Sequence, residues 1–196
     1  MKTEIQTLES RRLWLRAFRQ SDAGDVYSLL ADGSIADTTF LIPKSYTKEM
    51  AEDWISTHQS EFEDRTGITY AIVLKESSKL VGAISLIRIE EGHQAELGYW
   101  IGKEYWGKGI CSEAAELILE YGFLDLGVLR IHARHMSRNP ASGKVLLKIG
   151  MKHEGSLRKH LKKWGALENV EIYGVLIEDW KDANHRVDTV PTSAPR

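Results

Sequence analysis

Residues 95–119 read AELGYWIGKEYWGKGICSEAAELIL, and a change of period inside this stretch decides the fold class. Up to Ile101 the residues alternate. Leu97, Tyr99 and Ile101 take one side while Glu96, Gly98 and Trp100 take the other, which is the period of a β-strand. From Ile110 the apolar residues Ala114, Leu117, Ile118 and Tyr121 recur at helical spacing. A short loop with three glycines, Gly102 to Gly109, joins the two. The first N–H groups of a helix have no partner within the helix and carry the positive end of its dipole. A glycine-rich entry brings such groups close to an oxygen-rich anion. Trp106, Gly107, Lys108, Gly109, Ile110 and Cys111 therefore form a candidate anion cradle, to which Lys108 adds charge. A bare Gly-x-Gly also serves simply to turn a chain into a helix. A phosphate loop of the Gly-Lys-Ser/Thr type is excluded by spacing. A dinucleotide fingerprint is excluded because Ser112 stands where its third glycine would be.

Working outward, Arg11 to Phe18 alternates as a strand. Ser21-Asp22 reads as the start of a helix carrying Val26, Leu29 and Leu30. Residues 33–46 read as a loop, and Thr47 as the cap of a helix with Met50, Trp54, Ile55, His58 and Phe62. Three strands follow, at 68–74, 80–89 and 94–101, in the pattern of a meander. After the central helix come a strand at 128–136, a helix opened by Asn139-Pro140, and strands near 151–163 and 168–178. The expected fold is α+β. A single domain at 8–180 holds a mixed, mostly antiparallel sheet with helices on both faces, and 181–196 form a disordered tail.

Composition narrows the function. The chain has 196 residues, 26 Lys and Arg against 28 Asp and Glu, and a formal charge of -2. A dedicated nucleic-acid binder has a basic excess, so no direct nucleic-acid partner is expected. There is no apolar run of membrane-spanning length and no signal-peptide core. The single cysteine, Cys111, has no partner for an internal disulfide. These features point to a cytoplasmic protein without a membrane partner. His132 and His135 alternate to opposite faces of their strand, which is no metal-site pattern. The basic run from Arg158 to Lys163 reads as a solvated edge strand.

Four segments resemble one family. They are RLWLRAFRQSDAGDVYSLL (12–30), AELGYWIGKEYWGKGICSEA (95–114), RIHARHMSRNPASGKVLLKIGMKHEG (130–155) and GALENVEIYGVLIEDW (165–180). Together they resemble the GNAT superfamily of acetyl-CoA-dependent N-acetyltransferases, most closely its RimJ/RimL-like group, which acetylates N-termini of ribosomal proteins. The resemblance implies acetyl-CoA as cofactor. The backbone at Trp100 and Ile101 would pair with pantetheine amides, the turn from Trp106 to Ser112 would hold the pyrophosphate, and Asn139 would hydrogen-bond near the pantetheine arm or the thioester. The family's loop pattern is departed from at Glu104.

The resemblance also implies chemistry. Glu96 is at the strand position of the general base in many members; the alternative is an ordinary strand charge. Ser142 is where the Rim-like group places a serine that protonates the departing thiolate; the alternative is a helix-capping hydroxyl. The tyrosine that many other members use for that step is replaced by Leu146. The implied activity is acetyl transfer to a primary amine, foremost a protein N-terminus, by direct attack on the thioester. A small-molecule acceptor (polyamine, amino acid or aminoglycoside) and a non-catalytic acyl-CoA-binding module are the alternatives. The segments 33–46 and 160–168 are the expected acceptor loops, and a homodimer is left open.

Overall fold

The computed structural model describes residues 4–188, so the end of the expected tail, 189–196, lies outside the described residues. The strands are β1 Leu8–Glu9, β2 Leu13–Ala17, β3 Gly67–Leu74, β4 Leu80–Glu90, β5 Gln94–Ile101, β6 Arg130–Met136, β7 Lys152–Lys163 and β8 Ala166–Leu176. The helices are α1 Ala23–Leu30, α2 Ser34–Thr38, α3 Lys48–Glu63, α4 Ile110–Leu124, α5 Pro140–Lys148 and α6 Ile177–Asp188. One sheet runs in the order β1-β2-β3-β4-β5-β6-β8-β7. Every neighbouring pair is antiparallel except β5 and β6, which are parallel and are joined through α4. The fold is thus α+β with a mostly antiparallel sheet, as the sequence predicts.

Apolar layers cover both faces of the sheet. On one, α4 sets Ala114, Ile118 and Leu119 against Leu15, Ile72 and Leu97. On the other, α1 and α3 set Val26, Leu30 and Ile55 against Ala71, Val73 and Ala83. Burying each large side chain contributes about 1.5–3 kcal/mol, which holds the helices against the sheet. Thr47 caps α3 by accepting from the Met50 amide at 3.3 Å, as its position predicts. Among the described residues no helix is long and apolar enough to cross a membrane.

Three local expectations change. The segment 33–46 is not loop throughout, because it contains α2. Asp32 accepts from the Ser34 amide and hydroxyl at 2.9 and 2.6 Å, which starts a five-residue helix too short to show a period. The first helix begins at Ala23 rather than at a Ser21 cap. Asp22 turns back to Arg16 (2.7 and 2.9 Å) and the Arg19 amide (2.8 Å), so a 3-10 turn precedes the helix. The last strand ends at Leu176. Residues 177–188 continue as α6, so 181–188 of the stretch set apart as tail are helical. Trp180 anchors α6 against Phe123, with ring centroids 5.5 Å apart.

Candidate active site

The site begins with a parting in the sheet. β5 and β6 pair only from Gln94↔Arg130 to Leu97↔Ala133. Beyond that, β5 stays on β4 as far as Gly82↔Ile101, and β6 stays on β8 as far as Met136↔Val170. A wedge opens between residues 98–101 and 134–136. The ladder decides which groups face it. The Gly102 amide donates to the Val81 carbonyl at 2.8 Å, and hydrogen-bonded pairs recur at every second residue. Gly98 and Trp100 therefore bond to β4, while Tyr99 and Ile101 turn their backbone groups towards the wedge. Of the two strand-end residues expected to meet pantetheine, Ile101 has this orientation and Trp100 does not; Tyr99 shares the orientation of Ile101. The Ile101 carbonyl already accepts from the Trp106 indole N–H at 2.7 Å.

The glycine loop closes one end of the wedge. Gly107 and Gly109 have φ of 74° and 72°, a left-handed conformation that costs an L side chain roughly 1–2 kcal/mol. The first helical bond of α4 runs from the Glu113 amide to the Gly109 carbonyl at 3.2 Å. The amides of Ile110, Cys111 and Ser112 thus have no acceptor within the helix. Gly107, Gly109, Ile110, Cys111 and Ser112 line a cleft of about 1210 Å³, together with Trp100, Ile101, Trp106, Asn139 and Ser142. Lys108 is not in its wall. Its carbonyl accepts from Arg12 at 3.1 Å, and its ammonium lies 5.4 Å from the Tyr105 ring centre. Glu104 is exposed, away from the cleft. Burial pushes the Cys111 thiol up, away from the reactive thiolate.

The cleft passes through the wedge to the opposite face, where its wall includes Ile35, Phe40, Tyr46, Met50, Trp54 and Trp100. Trp54 and Trp100 lie 6.3 Å apart, centre to centre. Glu96 sits at the floor, with a side chain 7% exposed. Its carboxylate accepts from Arg134 Nε at 2.9 Å and Nη2 at 3.2 Å, and also from Arg88. His132 Nε2 is 3.9 Å away, and burial holds its pKa below the usual imidazole value. His135 lies on the opposite sheet face, stacked on Tyr173, as the alternation predicts.

The two expected acceptor loops meet over this face. Lys163 leaves the solvated edge expected for the basic run and turns inward, to 6% exposure. Its ammonium donates to the carbonyls of Thr39 (2.5 Å), Ile42 (3.3 Å) and Phe40 (3.5 Å). Burial holds its pKa below the usual lysine range. Arg138 adds bonds to Asp37 (2.8 Å) and Glu168 (2.9 Å). The Asn139 side chain caps α5 by accepting from the Ser142 amide at 3.4 Å and donates to the Thr38 carbonyl at 3.4 Å. Ser142 Oγ lies 2.7 Å from the hydroxyl of Tyr99. The sequence reading did not single out Tyr99: on a period-two strand beside Leu97 and Ile101 it reads as core.

A wedge with free backbone groups, ending at bare helix amides behind two left-handed glycines, suits a long thioester cofactor with a pyrophosphate. This arrangement fits the cofactor of a coenzyme A-dependent acyltransferase, the class that the family match establishes. Residues 12–152 match the acetyltransferase (GNAT) domain family, and the chain belongs to that family. It is 30% identical over 177 residues to the probable N-acetyltransferase YjcK of Bacillus subtilis, covering 88% of this chain and 98% of that one. An acetyltransferase of the GNAT family from Bacillus anthracis superposes with a TM-score of 0.78 at 26% identity, over 88% of this chain and 99% of that one. A RimL alpha-N-protein acetyltransferase solved with coenzyme A shares the fold, with a TM-score of 0.81 at 19% identity over 89% of this chain and 99% of that one. The protein is an acetyl-CoA-dependent N-acetyltransferase.

Proposed function

We propose that the acceptor is the α-amine of a protein N-terminus. The observation that carries this reading is the character of the acceptor face. Its wall from Ile35 to Trp54 and Trp100 is largely apolar and aromatic, above a floor that holds Glu96, Arg88 and Arg134. Among the described residues lining the cleft the carboxylates are Glu61 and Glu96, and Glu96 is bound to Arg88 and Arg134. A polyamine carries several positive charges and needs a cluster of free carboxylates, whereas a peptide end brings one amine and apolar side chains. The likeness to the Rim group along the whole domain supports the same reading. Trp106, Gly107, Gly109 and the amides of Ile110 to Ser112 hold the pyrophosphate. Tyr99 and Ile101 meet the pantetheine arm, and Asn139 links that arm's helix to the acceptor loop.

In this reading the neutral amine attacks the thioester carbonyl directly, and Ser142 donates to the sulfur as it leaves. Much of the acceleration comes from holding the two reactants together. Glu96 keeps Arg88 and Arg134 in place, and the proton released by the amine passes to water. The test is a panel of peptides and spermidine incubated with acetyl-CoA, with release of free thiol as the readout. Peptides are expected to exceed spermidine by at least about tenfold in kcat/KM. Turnover confined to polyamines or other small amines would overturn the proposal.

A further inference from the structure

Tyr99 and Ser142 meet across the wedge, one on β5 and the other in the first turn of α5. The Tyr99 hydroxyl is 2.7 Å from Ser142 Oγ and 3.1 Å from the Ser142 carbonyl oxygen. Good O–H···O bonds lie at about 2.5–3.0 Å, so the contact with Oγ is the better of the two. The Ser142 carbonyl, inside a helix spanning Pro140–Lys148, is also in position to accept from the amide four residues on. Burial raises the Tyr99 pKa far above neutrality, so the phenol keeps its proton.

We infer that Tyr99 is a positioning residue that sets the direction of the Ser142 hydroxyl proton. A serine hydroxyl has one proton and two acceptor lone pairs. In the proposed arrangement the Tyr99 proton goes to Oγ, the nearer of its two acceptors, rather than to the Ser142 carbonyl, and the Ser142 proton then points away from Tyr99 and into the cleft that both residues line. This rests on the reading in which Ser142 assists the departing sulfur. The bonds balance as follows. The amine nitrogen forms a bond to the acetyl carbon, the carbon–sulfur bond breaks, and its electron pair leaves on sulfur. The Ser142 O–H donates a hydrogen bond to that sulfur. The nitrogen loses one proton to water, and the thiolate takes one from water. Neither Ser142 nor Tyr99 changes its protonation overall. Leu146 lies one helical turn beyond Ser142, where it offers no hydroxyl, so the donor to sulfur comes from the strand-and-helix pair instead.

The test uses the full chain and whichever amine it turns over best, so that failure of the peptide reading leaves it intact. Tyr99→Phe removes only the hydroxyl. It is expected to lower kcat about tenfold and to leave KM for acetyl-CoA within about twofold. Ser142→Ala is expected to lower kcat at least as far. Adding Tyr99→Phe to Ser142→Ala is expected to cost nothing more, because the phenol acts only through the serine. Three kcat results would overturn the inference: full kcat in Ser142→Ala, full kcat in Tyr99→Phe, or the same loss from Tyr99→Phe with and without Ser142. A Tyr99→Phe loss carried by KM rather than kcat would show a packing role and overturn it as well.

Discussion

Arg134 holds Glu96 by two hydrogen bonds, Nε to Oε1 at 2.9 Å and Nη2 to Oε2 at 3.2 Å. This pairing bears directly on the chemistry, because Glu96 is the strand carboxylate that the family resemblance marks as the candidate general base. Both of its oxygens are engaged by guanidinium groups, which leaves it better suited to ordering charge at the acceptor floor than to taking a proton.

Glu96→Gln separates the two roles. Removing one partner of a buried pair costs about 3–5 kcal/mol. Here the cost is nearer about 2 kcal/mol, because the Arg88 side chain is 64% exposed and solvent screens it. Thermal or denaturant unfolding measures this loss. In the same variant kcat is expected to fall by less than about tenfold. A fall of about 10²–10⁴, the size of a lost general base, would assign Glu96 that role.

The glycine loop is tested by Gly109→Ala and Gly107→Ala. Both positions have positive φ, so each alanine costs roughly 1 kcal/mol or shifts the loop. A Cβ at Gly109 would meet Arg12 at 3.6 Å, while one at Gly107 meets nothing within 4 Å. Strain rather than collision is therefore the cause in both. Coenzyme A affinity by calorimetry is expected to weaken about tenfold. Unchanged affinity in both variants would remove the loop from the cofactor site.

Lys163→Met keeps the length of the side chain and removes its three bonds to the 39–42 carbonyls. The 33–46 segment, the proposed acceptor loop, then loses its direct bonds to the β7–β8 hairpin and keeps the bridge from Asp37 through Arg138 to Glu168. KM for the amine is expected to rise about fivefold, at the scale of one or two net hydrogen bonds, with KM for acetyl-CoA unchanged. Steady-state kinetics with each substrate varied in turn gives both values.

His58 provides a pH signature. It is buried against Phe18 and Trp54, its ring nitrogens have no partner among the described residues, and burial lowers its pKa from 6.5 to about 4. A folded pKa below the unfolded one means that the unfolded chain binds the proton first. The contribution to stability is present above pH 6.5 and is lost as pH falls from 6.5 to about 4, by roughly 3 kcal/mol in all. His58→Phe is expected to flatten the stability profile in that window. An equally steep decline in the variant would place the acid sensitivity elsewhere.

The fold was legible in the sequence wherever the signal is local. The switch of period between Ile101 and Ile110 and the Thr47 and Asn139 caps all act over a few residues. α2 escaped because five residues hold little more than one turn, and α6 because its anchor, Trp180, stands alone in a polar stretch. The glycine turn into α4 was legible because Gly107 and Gly109 signal a backbone need, and both have positive φ. The parting of β5 from β6 has no such signal. It arises because each strand keeps its other neighbour, and it alone turns Tyr99 from an apparent core residue into a wall of the cleft. Lys163 was misplaced for the same reason: a charge on an edge strand reads as solvated until the 39–42 carbonyls arrive from more than a hundred residues away.

The most direct measurement of the central claim is mass spectrometry of a peptide offering both an N-terminal amine and a lysine ε-amine, incubated with this protein and acetyl-CoA. The account predicts one added acetyl group on the α-amine, formed together with one equivalent of free thiol. Acetylation of the lysine alone, or thiol release only when the peptide is replaced by a polyamine, would contradict it.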